Sequence, residues 1–155
     1  MYNHAPQDYV CPLCLLGKEE YKEPLVVVPD DVVYKTEYIT AFISSRWWPN
    51  NKGHIIVIPN EHFENLYDID IKYLHEVVEA SQKLAIAIKK AYKCDGITIR
   101  QHNEPAGSQD AWHYHMHVVP RYTNDNFYKT DAIEGWIDPA ERKSYAMLIK
   151  KELYL

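Results

Sequence analysis

The longest regular pattern of apolar positions along the chain predicts one amphipathic helix over residues 69–92. Its apolar side chains recur at helical spacing and form one stripe, which consists of Leu74, Val77, Val78, Leu84, Ala85, Ile88 and Ala91. Asp68 is positioned to cap the start of this helix. A second helix is predicted to start at Asp138, with Pro139 in its first turn and Glu141 at the third position, as in a capping box.

The rest of the chain contains short runs rich in Val, Ile and Tyr, separated by Pro, Gly, Asn and Asp, which is typical of strands joined by turns. The predicted strands cover residues 25–28, 32–34, 38–44, 54–58, 97–101 and 113–118. They surround one central helix without regular β-α-β alternation, which favours an α+β fold with a mainly antiparallel sheet of about five strands. We expect a single domain over residues 1–155, with its core at about 10–122 and a C-terminal helical extension at about 138–155.

Composition and charge exclude several classes of function. The 46% hydrophobic and 25% charged residues are typical of a globular protein, and the formal net charge is −5. No basic tract could neutralise a phosphate backbone, so we expect no nucleic-acid partner. Because the N-terminus lacks signal-peptide features and no apolar run approaches the ~20 residues of a membrane helix, we expect a cytoplasmic protein that does not contact membranes.

Three histidines at alternate positions give the strongest chemical signal in the chain. In a strand, His113, His115 and His117 would share one face, while the apolar residues between them would face the core. The outer two would lie ~13 Å apart at about 3.3 Å per residue. Since Zn–N bonds are only about 2.0–2.1 Å long, the three imidazoles cannot easily converge on one ion. They could instead line successive atoms of a linear substrate, such as a chain of phosphates.

The middle histidine is the natural candidate for a nucleophile. Neutral imidazole can attack phosphorus near pH 7, provided that one ring nitrogen is protonated and held by an acceptor. A neighbouring imidazole that carries a proton would stabilise the transition state. Two other interpretations stay open at this point: the polar face of an amphipathic edge strand, and a metalloprotein in which the triad supplies ligands.

The segment HYHMHVV matches the His-φ-His-φ-His-φ-φ signature, where φ is apolar, and resembles the histidine-triad family of nucleotide hydrolases and transferases. The match extends to GHIIVIPNEH (53–62), NEPAGSQ (103–109) and PRY (120–122), in the same order and spacing over roughly residues 10–122. The resemblance implies cleavage of a nucleoside phosphate linkage, in a phosphoramidate or a dinucleoside polyphosphate, through a covalent nucleotidyl-histidine intermediate. It also implies that the chemistry needs no divalent metal and that the protein is a homodimer.

The resemblance assigns a role to each matching residue. His115 would be the nucleophile, His117 would contact the reacting α-phosphate, and the backbone carbonyl of His113 would orient the ring of His115. The implied substrate contacts are Phe42 in the base pocket, Asn103 and Gln109 on the phosphates, and Asp110, which stands where many relatives have Ser or Thr near the leaving group. Asp110 could donate a proton to that group or be a solvated loop acid.

One departure from the family motivates an alternative function. Relatives commonly place Asp or Asn near residues 44–46 to bind the ribose hydroxyls, but this chain has Ser-Ser-Arg there. The alternative is therefore a nucleotide-binding or interaction protein with little turnover.

The pair Cys11 and Cys14 in CPLC is ambiguous by itself, since it could be a redox pair, half of a zinc site or two small buried thiols. The sequence resembles the zinc-binding, bacterial-type branch of the triad family, which implies a structural zinc completed by His54 and His113. His62 also matches a family position, but no chemistry is assigned to it. His102 lacks a motif and is expected at the surface.

Overall fold

The computed structural model describes residues 2–154, which form three helices, five strands and two short 3-10 turns. The helices are α1 (Pro12–Gly17), α2 (Ile71–Tyr92) and α3 (Pro139–Leu153); the strands are β1 (Val32–Lys35), β2 (Ile39–Ile43), β3 (Ile55–Pro59), β4 (Gly96–Gln101) and β5 (Met116–Arg121). None of the helices within the described residues is both long and apolar enough to cross a membrane.

The five strands form one sheet in the order β1-β2-β3-β5-β4, and every neighbouring pair is antiparallel. Helices α2 and α3 cover one face of the sheet, and α1 lies against β2 and β3. This arrangement confirms the predicted α+β fold with an antiparallel sheet and one long helix.

Alternation along the strands divides the apolar side chains between two clusters. On β2, Ala41 belongs to the large core beneath α2 and α3, whereas its neighbour Phe42 belongs to a smaller core on the opposite face. Leu13 and Leu16 of α1 and Val27 complete the smaller core. On the sheet face opposite α2 and α3, α1 therefore covers the part that carries the smaller core. The rest of this face carries side chains that do not belong to that core.

The helix starts differ in how well they were predicted. Asp138 caps α3 as expected, since its carboxylate accepts a hydrogen bond from the backbone N–H of Ala140 at 2.7 Å. The start of α2 was predicted two residues early: Asp70, not Asp68, is the cap, and its carboxylate accepts from the N–H of Lys72 at 2.8 Å. A side-chain oxygen that reaches the second helical N–H satisfies one of the free donors of the first turn.

Residues 25–28 were expected to form a strand, and this prediction was wrong. Val28 is extended, but the hydrogen bonds of this segment go to turns and side chains: the N–H of Leu25 donates to the carbonyl of Lys22, and the N–H of Val28 donates to the carboxylate of Asp31. The side chain of Val27 still packs in the smaller core. The apolar pattern identified a buried segment without identifying its hydrogen-bond partners.

Helix α3 is fastened to the start of β1 by a buried ion pair. The guanidinium of Arg142 donates to the carboxylate of Asp31 at 2.9 and 2.8 Å, and both side chains are almost completely buried. Removing one partner of such a pair would leave an unpaired buried charge, which costs about 3–5 kcal/mol. The predicted C-terminal helix thus packs on the core, whereas the predicted domain boundaries themselves stay a prediction.

Candidate active site and metal cluster

Only the last of the three alternating histidines lies within a strand. β5 begins at Met116, so His113 and His115 belong to the segment that leads into it. His117 is paired with Ile56 on β3 and Arg100 on β4, on the sheet face opposite α2. The prediction of a strand that includes all three histidines is therefore wrong for His113 and His115, whose rings are held by hydrogen bonds outside the ladder.

His115 is held by the main chain of the residue two positions earlier. Its Nδ1 donates to the carbonyl oxygen of His113 at 2.7 Å, and the ring is 3% exposed. Burial lowers the pKa of His115, which keeps the ring neutral at pH 7. With its proton on Nδ1, the ring has a free lone pair on Nε2, as a nucleophile requires.

His117 lies beside His115 and is supported from behind by His54. The His115 and His117 ring centroids are 5.0 Å apart, and Nδ1 of His117 lies 3.4 Å from Nε2 of His54. Nδ1 of His54 is buried without a partner among the described residues. An unpaired lone pair costs less than an unpaired N–H, so we assign the His54 proton to Nε2, donating to His117. Nε2 of His117 then carries a proton that can be donated to a phosphate oxygen.

Burial also keeps these two supporting rings neutral. It lowers the pKa of His54 to about 3 and the pKa of His117 well below its usual range; nearby positive charge, including Arg100, acts in the same direction. His117 therefore acts as a neutral hydrogen-bond donor and not as an imidazolium at pH 7.

Two residues next to His117 had no assigned role in the sequence prediction. Nδ1 of His102 donates to the carbonyl of Gly107 at 2.7 Å, and its ring centroid lies 6.0 Å from that of His117. The guanidinium of Arg100 lies 4.5 Å from the ring centroid of Trp48. His102 was expected at the surface and is half-buried, and the antiparallel pairing of β4 with β5 brings the end of β4 to the triad.

Asn103 and Gln109 hold together the loop that precedes the triad. The Gln109 amide is 5% exposed, donates to the carbonyl of Glu64 at 2.6 Å and accepts from the N–H of Glu104 at 2.8 Å. Asn103 accepts from the N–H of Leu66 at 2.7 Å. These contacts position the loop, and direct contact of either amide with phosphate stays a prediction.

The other two predicted substrate contacts occupy different surroundings. Phe42 is buried in the smaller core and is two strands away from His117 in the same cross-strand row, through Ile56. Asp110 is exposed, and its Oδ1 lies 4.0 Å from Nε2 of His115. The Ser44 hydroxyl is used within its own turn, where it donates to the carbonyl of Arg46 at 3.0 Å.

Four side chains with ligand atoms form a compact cluster at the end of β3. Cys11, Cys14, His62 and His113 each offer one ligand atom, and these atoms all lie within 4.8 Å of one another. Nδ1 of His113 lies 3.3 Å from Sγ of Cys11 and 3.5 Å from Sγ of Cys14, and Nδ1 of His62 lies 3.2 Å from Sγ of Cys14. Zn bonds of about 2.0–2.3 Å in a tetrahedron separate ligand atoms by roughly 3.3–3.8 Å, so the cluster fits zinc.

His54 is not part of this cluster, which corrects the predicted ligand set. β3 separates the two candidates: His54 precedes the strand and contacts His117, whereas His62 follows it and reaches the cysteines. α1 packs against the far end of β3, where a Cβ on Gly17 would lie 2.8 Å from the carbonyl oxygen of Asn60. The cysteine pair therefore lies next to His62, which follows β3, and not next to His54, which precedes it.

The electrostatics of the cluster also suit a cation. Nε2 of His113 donates to the carbonyl of Pro59 at 3.0 Å, which leaves its Nδ1 unprotonated and directed at the thiols. The neighbouring Cys14 thiol, followed by His113 and His62, lowers the pKa of Cys11 far below its usual range, while the adjacent Cys11 raises the pKa of Cys14. The two thiols thus share one proton, which a bound metal ion would displace.

A family model named HIT domain matches residues 26–124 of the chain. The chain belongs to the HIT domain family. This membership confirms the resemblance that the histidine pattern implied. Protein hit of Bacillus subtilis is 34% identical over 95 residues, which cover 61% of this chain and 64% of that protein, less than two thirds of its length.

Two further relatives of this HIT-family chain carry names that describe an activity. The adenosine 5'-monophosphoramidase HNT1 of Saccharomyces cerevisiae is 30% identical over 151 residues, covering 96% of this chain and 84% of that protein. A bis(5'-adenosyl)-triphosphatase of the same species is 29% identical over 101 residues, covering 64% of this chain and 48% of that protein.

Solved structures share the fold over nearly the whole chain. A Hit-like protein from Bartonella henselae has a TM-score of 0.72 and 34% identity and covers 90% of this chain and 93% of its own. A Zn-bound histidine triad family protein from Mycobacterium smegmatis has a TM-score of 0.73 and 25% identity, with 92% of each chain covered.

Proposed function

We propose that this protein hydrolyses nucleoside phosphate linkages, in a phosphoramidate or a dinucleoside polyphosphate, through a nucleotidyl intermediate on His115. The observation that carries the proposal is the 2.7 Å hydrogen bond from Nδ1 of His115 to the carbonyl of His113, in a buried ring. This bond leaves Nε2 as the only nitrogen of the ring with a free lone pair. The activities named for HNT1 and for the triphosphatase support the same class of substrate.

The reaction proceeds in two displacements at the α-phosphorus. Nε2 of His115 donates its lone pair to phosphorus, and the bond to the leaving group breaks with its electron pair on the departing nitrogen or oxygen. A departing amine nitrogen takes up a proton from solvent. Water then attacks the phosphorus of the histidine adduct, loses a proton to solvent and releases the nucleoside monophosphate, which restores neutral His115.

The neighbouring residues bind and orient the substrate in this proposal. Nε2–H of His117, directed by His54 behind it, donates to a non-bridging oxygen of the α-phosphate as negative charge develops there. Asn103, Gln109 and Asp110 contact the phosphates and the leaving group, and Phe42 forms part of the floor of the base pocket. No step is assigned to a divalent metal ion.

The second candidate function is nucleotide binding with little turnover. The Ser44 hydroxyl donates to a carbonyl within its own turn, and Ser45 is buried. Residues 44 and 45 therefore supply no carboxylate or amide oxygen to which the ribose hydroxyls could donate hydrogen bonds. A loosely held ribose would position the α-phosphate less well and reduce turnover more than binding.

We propose that Cys11, Cys14, His62 and His113 bind one structural zinc ion, which would supply a closed tetrahedral cross-link between α1, the end of β3 and the triad segment. Zinc in the related Mycobacterium protein supports this assignment. Reduced thiols in such a site agree with the predicted cytoplasmic location.

We propose, in addition, a homodimer through β4 and α2. β4 is an edge strand, and Val78 of α2 and Ile99 of β4 are about half exposed along this surface. A cavity of about 260 Å³ lies there, lined by Val78, Ile99 and Met116 among others. Sedimentation equilibrium would give twice the 18.2 kDa mass of the chain.

The test of the function compares His115→Asn with the wild-type protein on an adenosine 5'-phosphoramidate. His75→Asn is the matched control, since His75 is an exposed histidine on α2, away from the site. We expect His115→Asn to lower kcat/KM about a thousandfold or more and His75→Asn to leave it unchanged. Alkaline quenching followed by peptide mass spectrometry should find nucleotide on His115. Tight nucleotide binding by calorimetry without product would instead favour the second function.

A further inference from the structure

The exposed carboxylate of Asp110 lies at the opening of the His115 site. Oδ1 of Asp110 lies 4.0 Å from Nε2 of His115, and the Asp110 side chain is 75% exposed while that of His115 is 4% exposed. A group that approaches Nε2 from solvent therefore passes within a few ångströms of this negative charge.

An exposed cation, Arg46, lies beside the other oxygen of this carboxylate. NH1 of Arg46 lies 4.0 Å from Oδ2 of Asp110 and is half exposed, with its guanidinium 6.0 Å from the ring centroid of Trp136. Arg100 is also nearby, but its guanidinium lies against the ring of Trp48. The Asp110 carboxylate thus has one oxygen near the attacking nitrogen and the other near Arg46.

From this arrangement of charges beside Nε2 of His115 we propose that Asp110 and Arg46 select the leaving group by its charge. The site would favour nucleoside phosphoramidates whose leaving amine is neutral or cationic and would disfavour the anionic leaving groups of dinucleoside polyphosphates. The inference rests on the proposed function, because it concerns the leaving group of the same reaction. It differs from a role for Asp110 as proton donor, which would act on all amines alike.

The physical argument concerns the charge that develops during displacement. As Nε2 attacks, the leaving group departs on the opposite side of the α-phosphorus, toward solvent. A phosphate leaving group brings further negative charge into the field of Asp110, whereas an amine chain that ends in an ammonium brings positive charge. At exposed positions such an interaction changes a rate by about threefold to tenfold per unit charge.

Substitutions of Asp110 and Arg46 should change the preference for the charge of the leaving group in opposite directions. In the wild-type protein the charge of Arg46 is largely compensated by Asp110. Asp110→Asn would leave Arg46 as an uncompensated cation at the same mouth, so an anionic leaving group would become the preferred one. Arg46→Gln would leave Asp110 alone and strengthen the preference for a cation.

The experiment uses three adenosine 5'-phosphoramidates with the same three-carbon amine, which ends in a methyl, an ammonium or a carboxylate group. We expect the wild-type kcat/KM to fall from the cationic through the neutral to the anionic compound, about tenfold or more from end to end. Asp110→Asn should abolish or invert this order, Arg46→Gln should widen it, and Asp110→Glu should retain it. Glu79→Gln, a carboxylate-to-amide change on exposed α2, should not alter it.

Salt provides an independent readout of the same effect. The preference should shrink between 0.1 M and 1 M salt, because the Debye length falls from about 10 Å to about 3 Å. Equal rates on the three compounds with the wild-type protein would overturn the proposal, and so would an unchanged order in Asp110→Asn or an equal loss on all three compounds. Failure of the proposed function is distinguishable, since the wild-type protein would then be no faster than His115→Asn on the neutral compound.

Discussion

His113 and His115 are two residues apart, yet the structure uses their rings in opposite ways. The His113 ring donates from Nε2 to the carbonyl of Pro59 and presents a bare Nδ1 to two thiols. The His115 ring donates from Nδ1 to the carbonyl of His113 and presents a bare Nε2 at the site mouth. In both rings a backbone carbonyl fixes the tautomer, and the choice of carbonyl decides whether the histidine suits a metal or a phosphorus atom.

The two regions share one residue, which makes them physically dependent. The His113 side chain belongs to the metal cluster, and its carbonyl oxygen orients the ring of His115. A metal cross-link that fixed the His113 ring would also restrict the peptide that holds His115, the proposed nucleophile. In the proposed function, the thiols and imidazoles of the cluster would close around one metal ion, whereas the neutral rings of His115 and His117 would receive the substrate.

The largest expected effect separates the two regions by metal content. Cys11→Ser combined with Cys14→Ser should reduce zinc from one equivalent to none and lower the free energy of unfolding by at least about 4 kcal/mol, because the loss of a structural metal removes its cross-link. Elemental analysis and urea unfolding measure the two quantities. Cys94→Ala is the control, since Cys94 is a buried thiol outside the cluster.

His115→Asn completes the comparison, because it should keep its full equivalent of zinc while losing turnover. Loss of zinc in His115→Asn, together with its retention in the double cysteine variant, would show that the triad itself is the metal site.

A smaller effect distinguishes the two histidines on either side of β3. His62→Ala should weaken zinc binding by more than about a hundredfold, since it removes a direct ligand, and the fall should exceed the 10–100-fold typical of an indirect contact. His54→Ala should leave zinc affinity unchanged and lower kcat, because His117 loses the donor that fixes its tautomer. Competition with a chromophoric chelator measures the affinities. The opposite pattern would restore His54 as the fourth ligand.

These two histidines also show why the sequence predicted the fold better than the site. Periodicity was sufficient for α2 and for the strands that hold the large core, since burial of one face dictates the spacing. The capping signature at Asp138 was sufficient for the start of α3. The choice between His54 and His62 depends on which end of β3 faces α1. That is a tertiary contact, and CPLC is too short to predict even the helix it begins.

The same limit applies to the triad. Alternation correctly placed His117 on the face away from α2. The positions of the His115 and His113 rings depend instead on hydrogen bonds to backbone carbonyls, which the periodicity of the sequence does not predict. The position of Arg100 and His102 next to His117 was not predicted, because it depends on the pairing of β4 with β5. A search for polar residues at the end of the strand before the triad would have found them.

The smallest expected effect concerns the pH dependence of stability. It tests whether His54, which contacts His117, is neutral in the folded protein. Burial lowers the pKa of His54 to about 3, whereas an unfolded histidine titrates near 6.5. The unfolded chain therefore binds more protons than the folded chain in this interval, so the stabilisation is present above about pH 6.5 and is lost as the pH falls toward 3. One such group contributes a slope of up to about 1.4 kcal/mol per pH unit.

Urea unfolding at pH 7, 6, 5 and 4 should give a shallower slope for His54→Ala than for the wild-type protein, while His75→Ala, at an exposed position, keeps the wild-type slope. Equal slopes in His54→Ala and the wild-type protein would mean that His54 is protonated in the folded state and cannot support His117 as a neutral donor.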